Sequence, residues 1–268
     1  MMNDHDYSSN PASLENFYII SELQFLECTF EWTKQVSSTK MPCKIFADKG
    51  SSKERMLVQV HFNDATIQSL LSCVGVKHIH ARFVIANKYQ PYKIKSPTFT
   101  IVVYATDQLG QRCSAYHLGR PQYDDTIVVS GDKPFQGVGN FISSRLAQEW
   151  IDGWKMVCDG NPKAPGCLSE LFLTNYGYLT GYNYLMSDFM YSLFPPGTQK
   201  ECYDLVILPV IHKHVSNNLI GQPTLSRTFG LVLAGVQLLT DDGAVDNAEE
   251  VKTFYDLSLP TPPNHISL

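Results

Sequence analysis

The chain has 268 residues, of which 44% are apolar, 12% aromatic and 18% charged, enough to build a packed core and too apolar for wholesale disorder. Its 21 basic and 26 acidic residues leave a net charge of −5 with no Lys or Arg run, which excludes a nucleic-acid coat. No stretch reaches the roughly 18 apolar residues of a membrane-spanning helix, and residues 1–13 are polar and acidic, unlike a secretory signal. These features predict a soluble, cytoplasmic protein without membrane insertion.

After the polar tail 1–13, Ser21-Glu22-Leu23-Gln24 reads as a capping box. It precedes a helix whose predicted buried stripe is Leu23, Leu26 and Phe30. Residues 56–62 alternate as an extended segment would. Ile67, Leu70, Leu71 and Val74 then predict a short helix stopping at Gly75. Strands are expected at 82–85 and 98–104, the second turning through 106–110 into 112–118. Residues 119–140 read as a linker rich in Gly, Pro and Asp. Beyond it, Ser143 or Ser144 can cap a helix carrying Leu146, Trp150, Ile151 and Trp154 on one broad face. A short helix at 188–194 ends before Pro195-Pro196. Strands follow at 205–208 and 228–233, then a Pro-rich tail at 260–268.

Helices, strands and a closing aromatic segment thus recur in the same order in two halves. Glu31-Trp32 matches Glu149-Trp150, Phe83 matches Ile207, Phe99 matches Phe229 and Leu118 matches Leu257, with spacing that grows along the chain. The expected architecture is α+β: two tandem α-α-β-β-β repeats, 14–118 and 141–259, with antiparallel sheets related by a pseudo-twofold axis.

The segments Glu149-Trp150-Ile151, 188–194, Phe229-Gly230-Leu231-Val232-Leu233 and 257–263 resemble small uncharacterised α+β proteins of Bacteroidetes bacteria. The resemblance implies a bacterial origin and carries no activity or site residue.

Catalytic signatures are sparse. No Gly-x-Ser-x-Gly elbow occurs. Gly137-Val138-Gly139 lacks the remaining parts of a phosphate loop, and Asp124-Asp125 and Asp241-Asp242 lack the ligand spacing of a calcium loop. The seven cysteines form no even framework; only Cys158 and Cys167, bracketing one loop, could bridge in an exported protein. Two pairs of histidines, His78 with His80 and His212 with His214, stand at i and i+2, the strand spacing that puts both rings on one face. Antiparallel strands could gather all four around one metal. Tyr176, Tyr178, Tyr182 and Tyr184 repeat at every second or fourth position, which suits either core packing or a recognition surface for a partner, a sugar or a planar ligand.

The resulting expectation is a non-catalytic interaction or self-assembly component, pairing with itself or another protein through sheet edges at 98–104 and 228–233, with no cofactor and no nucleic acid. A small-ligand or carbohydrate binder and a metal-dependent enzyme are the alternatives.

Overall fold

The computed structural model describes residues 18–38, 41, 43–48, 55–86, 97–123, 127–128, 142–158, 168–174, 176–193, 204–217, 223–237, 249–255 and 259–261. In chain order these form β1 (Ile19–Ile20), α1 (Glu22–Val36), a 3-10 turn (Cys43–Phe46), β2 (Ala47–Asp48), β3 (Arg55–Met56), β4 (Gln59–Phe62), α2 (Asp64–Leu71), β5 (His78–Ala86), β6 (Thr98–Thr106), β7 (Tyr116–Leu118), β8 (Arg120–Gln122) and β9 (Ile127–Val128). Then follow α3 (Ser144–Cys158), a second 3-10 turn (Leu168–Phe172), β10 (Leu173–Thr174), β11 (Gly177–Tyr178), β12 (Gly181–Leu185), α4 (Met186–Leu193), β13 (Asp204–Asn217), β14 (Pro223–Gln237), β15 (Glu249–Tyr255) and β16 (Leu259–Thr261). The fold is mixed α+β. Its strand pairs are antiparallel except β9 with β15.

The local signals act as their chemistry requires. Ser21 Oγ accepts from Gln24 N at 3.3 Å while Gln24 Oε1 accepts from Ser21 N at 2.8 Å, closing the capping box of α1. The second helix stops earlier than expected: α2 ends at Leu71 with Ser72 as its C-cap, Val74 is exposed in the turn beyond it, and Gly75 takes φ +77° in that turn rather than at the helix end. The buried stripe of α1 is not the expected one: Phe25, Cys28, Trp32 and Val36 face inward, while Leu23 and Phe30 are each 67% exposed. Both sets have helical spacing, and the tertiary partners decide between them.

Two six-stranded sheets make up the body, in the orders β1-β7-β6-β5-β12-β16 and β8-β4-β13-β14-β15-β9. The halves interleave. From the first half, β4 pairs with β13 in the second sheet; from the second half, β12 pairs with β5 in the first. Residues 14–118 and 141–259 therefore do not divide into separate sheets. Part of the expected linker is strand (β8 and β9), and part of the expected tail is β16. The extended segment 56–62 contains β4, a strand lying between the two helices of its half.

The sheets face each other through alternate residues. Phe83, Phe99 and Ile101 of the first meet Phe229, Leu231 and Ile207 of the second in one central core. Phe229 lies 5.4 Å from Phe83 and 6.3 Å from Phe99, both nearly edge-on. Each outer face is covered by a helix. Phe25 and Cys28 of α1 pack on Val84, Val102 and Tyr116, whereas Ala147 and Ile151 of α3 pack on Val206, Leu208 and Val232.

Each long helix also sends one tryptophan into the central core. Trp32 Nε1 donates to the Leu179 carbonyl at 2.9 Å, and Trp154 Nε1 donates to the Leu57 carbonyl at 2.8 Å. Leu179 N in turn donates to Phe172 O and Leu57 N to Phe46 O. The rings follow the same plan, Trp32 standing edge-on to Phe172 at 5.0 Å and Trp154 to Phe46 at 5.1 Å. Trp154, not the expected Trp150, thus occupies in α3 the role of Trp32 in α1.

The segments 98–104 and 228–233 lie on strands that are interior in the sheet order, with β7 paired to β6 at Val102 and Val103 and β15 paired to β14 at Leu233, Ala234, Val236 and Gln237. Among the described residues the outermost strands have two or three residues each, and two of them contain a proline, Pro121 in β8 and Pro260 in β16, which cannot donate to a ladder.

Replacing Trp32 or Trp154 by Phe keeps most of the apolar contact but leaves a buried carbonyl without its donor. Each change should lower unfolding free energy by about 1–3 kcal/mol in urea titrations.

Candidate functional site

The outer face of the first sheet carries an unusual set of side chains. Alternation along β5 turns His78, His80 and Arg82 to this face, and the register places Asn183 of β12 and Tyr104 of β6 on either side of His80. Arg82 is only 5% exposed. Its Nη1 donates to Tyr182 O at 3.2 Å, and its Nη2 lies 3.0 Å from His80 Nδ1. The guanidinium carbon sits 5.8 Å from the Tyr104 ring centre, and the His80 ring stacks on Tyr104 at 4.7 Å. Burial pulls the Arg82 pKa below its ordinary value, opposed by Tyr104; an arginine nevertheless remains a cation in a protein.

His80 Nδ1 is 2.7 Å from Asn183 Oδ1, and Nε2 is 2.7 Å from Thr106 Oγ1. One neutral tautomer donates from Nδ1 to Asn183 and accepts the Thr106 hydroxyl at Nε2. The other accepts from Arg82 at Nδ1 and donates to Thr106. Both leave the ring uncharged, which is what its surroundings favour. Burial, with the Arg82 charge beside it, lowers the pKa from the ordinary 6.5 to about 4, against the raising effect of the Asn183 hydrogen bond and with a further lowering by His78.

Above this floor, between α1 and the sheet, lies a small cavity of about 20 Å³, room for one water-sized group. Thr29, Thr33 and Phe25 of α1 form its roof, with Arg82, Tyr104 and Thr180 opposite. The Thr29 hydroxyl donates back to the Phe25 and Leu26 carbonyls, and that of Thr33 to Thr29 O. Both therefore offer only lone pairs. The cleft thus sets an acceptor-only roof opposite the buried Arg82 cation and the Tyr104 ring, with space between them for one water-sized polar group.

The second sheet supplies a comparison within the same chain. There the triple matching Asn183–His80–Tyr104 in register is His61–Val206–Ala234, and α3 fills the space above with Ala147 and Ile151. The polar pair on that face has a structural task. Asp204 takes His61 Nε2 on one oxygen at 2.7 Å and Asp64 N, at the start of α2, on the other at 2.8 Å.

The histidine pairs lie apart. His78 and His80 do share a face, with ring centres 6.3 Å apart. His212 belongs to the opposite outer face, where its ring meets Trp150 at 4.3 Å and fills the space beside Gly230, whose absent Cβ would come within 2.6 Å of it. The His214 side chain lies outside the described atoms. With the two-sheet core between them, His80 and His212 cannot share a metal, and among the described residues no group of three or more His, Cys, Asp or Glu forms a ligand set. The tyrosines also separate. Tyr182 and Tyr184 are buried in the central core, with Tyr182 Oη donating to Phe229 O at 2.5 Å, Tyr178 is half-buried, and Tyr176 is 81% exposed. They do not form one recognition surface. The Cys158–Cys167 loop lies outside the described residues.

Arg82 and Tyr104 were not candidates on sequence grounds. The available signal was a charge inside the apolar run Ala81-Arg82-Phe83-Val84-Ile85. Comparison with protein-family models, curated proteins and solved structures returns no match for this chain.

Because folded His80 titrates near 4 and unfolded histidine near 6.5, the unfolded chain binds the extra proton between those values. Stability from this residue is complete above about pH 6.5 and declines toward pH 4, by at most about 1.4 kcal/mol per pH unit. His80→Gln should flatten that part of the profile in chemical denaturation across pH 4–7.

Proposed function

We propose that the protein takes a polar group of about the size of a water molecule, as the end of a small ligand, into the cleft between α1 and the outer face of the first sheet, with Arg82 and Tyr104 at its floor and the neutral His80 beside Arg82. One observation carries this reading: His80, Tyr104 and the buried cation Arg82 stand where the second sheet, in matching register, holds Val206, Ala234 and Leu208. A buried charge opposes folding unless compensated, and apolar replacement of buried ionic groups is often neutral or stabilising. The second sheet demonstrates that this scaffold packs well with apolar residues there. That contrast supports binding rather than packing as the reason for the polar set on the first sheet.

The reading includes a tandem duplication with a pseudo-twofold relation between the sheets. It is supported by α1 and α3 of 15 residues each, α2 and α4 of 8 each, and the parallel roles of Trp32 and Trp154. The same number of residues separates the starts of α1 and α3, β4 and β12, and α2 and α4. After duplication one face kept an apolar packing while the other acquired the cleft.

The test is a fragment screen by protein-observed NMR. Ligands should perturb Thr29, Thr33, Arg82 and Tyr104 and leave Ala147, Ile151 and Val206 unchanged. Thr29→Ile, an apolar plug in the roof, should abolish those perturbations without loss of fold. Hits spread evenly over both faces, or undiminished in Thr29→Ile, count against a cleft on the first sheet.

A second reading, a protein-interaction component, is favoured by the outward stripe of α1. Leu23 and Phe30, one helical face apart from the cleft, are largely exposed together with Ile19. Light scattering at micromolar concentration should show a larger species that Leu23→Glu with Phe30→Glu dissociates; a wild-type monomer removes this reading.

A further inference from the structure

We propose that His117 makes the C-terminal end of α2 an acid-sensitive latch: protonation of its ring releases that end of the helix from the first sheet, while the N-terminal end stays tied to the second. His117 lies in β7 and is 1% exposed. In register it stands between Val103 of β6 and Ile19 of β1, and Val103 belongs to the central core. Its Nε2 is 3.4 Å from Ser69 Oγ, which joins the last turn of α2 to the first sheet. Its Nδ1 is buried with no hydrogen-bond partner among the described residues.

The groups around the ring are neutral. From α2 it meets the Ser69 hydroxyl, and Cys73, one turn on, donates its thiol hydrogen to Ser69 O at 3.3 Å. Asp64, the one charged residue of α2, is at the other end of that helix. The neighbouring strands β6 and β1 supply Val103 and Ile19, and β4, packed on Gly119, supplies Val60 and Phe62. Tyr116 and Leu118 of β7 turn to the opposite face, with Phe25 and Cys28 of α1. Burial is accordingly what holds the His117 pKa below its ordinary 6.5.

A neutral ring with its hydrogen on Nε2 donates to Ser69 Oγ and leaves only an unpaired lone pair at Nδ1. Protonation turns Nδ1 into a cationic donor with nothing to accept from it, a far costlier burial. The two ends of α2 differ in how readily they can relieve that cost. At the N-terminal end, Asn63 Oδ1 accepts from Thr66 N at 3.0 Å and Asp204 Oδ1 from Asp64 N at 2.8 Å. Asp204 Oδ2 is held by His61 Nε2 at 2.7 Å, a bond that an imidazolium donates as well as the neutral ring does. At the C-terminal end the helix runs into the exposed turn of Val74 and Gly75. An eight-residue helix has little stability of its own, so this end opens before the strands do. The opened state binds the proton with the ordinary pKa of 6.5 and the closed state with a lower one. Opening therefore grows as pH falls below 6.5, by up to about tenfold per pH unit until the closed ring itself titrates.

Hydrogen exchange of the wild-type chain from about pH 7.5 to about pH 5.5, corrected for the intrinsic pH dependence of amide exchange, tests the latch. The opening constant of the peptide covering α2 should rise about three- to tenfold per pH unit below 6.5, while peptides of β13 and β14 keep theirs. His117→Phe and His117→Gln, neither of which titrates, should each flatten that rise. A pH-independent opening of α2 in the wild type, a rise shared equally by β13 and β14, or a rise that persists in either variant overturns the assignment. The first two of those results are read on the unsubstituted chain, so the test does not depend on either variant folding.

Discussion

Two indole-to-carbonyl bonds hold the architecture in register. Trp32 belongs to the first half and caps Leu179 of the second; Trp154 belongs to the second half and caps Leu57 of the first. Each acceptor sits immediately ahead of a strand, β4 or β12, that crosses into the other half's sheet. A buried carbonyl without a donor costs about 1–3 kcal/mol, so neither crossing strand can shift along its neighbour without incurring that cost at its own carbonyl. The aromatic rings around the indoles add contact area that depends on the same placement. Gly181 shows how close the crossing is: its φ of +152° favours glycine, and a Cβ there would run into the Ala81 carbonyl.

With the sheets pinned from inside, the two outer faces can differ. The face under α3 is packed with Val206, Leu208, Val232 and Ile151 and needs no polar compensation beyond the His61–Asp204 pair that steadies the start of α2. Under α1, the buried guanidinium takes its partners from a backbone carbonyl, an imidazole and a tyrosine ring. A neutral His80 is part of this balance, since a second cation beside Arg82 would repel it. The same unequal faces explain why α1 roofs its cleft with Thr29 and Thr33 while α3 places Ile151 against the sheet.

Local chemistry was readable from the chain. The capping box at Ser21, the alternation through 56–62 and the shared face of His78 and His80 all depend on neighbours within a few residues, whereas α2 ends at Leu71, ahead of the expected stop at Gly75. What was not readable depends on distant partners. Leu23, Leu26 and Phe30 have the same helical spacing as Phe25, Cys28 and Trp32, and only the sheet below α1 decides which stripe is buried. The Glu-Trp pairs suggested Trp150 as the counterpart of Trp32, whereas a hydrogen bond to Leu57 selects Trp154. The expected edges at 98–104 and 228–233 followed from counting three strands per half; the strand order instead sets β6 and β14 inside their sheets, with β7 and β15 beside part of each and β4 and β12 crossing between the halves. His80 was visible as a possible ligand, but its partners Arg82, Thr106 and Asn183 come from three strands, and a strand order cannot be read from spacing.

Interleaving has a consequence for the cleft itself. His80, Arg82, Tyr104 and the α1 roof belong to the first half, but Asn183, the Tyr182 carbonyl and Thr180 are delivered by the second. The first half alone would present Arg82 beside an unpaired strand edge, open to water and without the acceptor that orients it. Water would then screen the guanidinium, and His80 would lose the burial that keeps it neutral. The polar cluster acquires its low-dielectric setting only when β12 is held against β5, which is what the Trp32–Leu179 bond secures. The core between the sheets and the chemistry outside them are thus linked through one strand: the contact that fixes β12 for folding is also the one that closes the floor of the cleft.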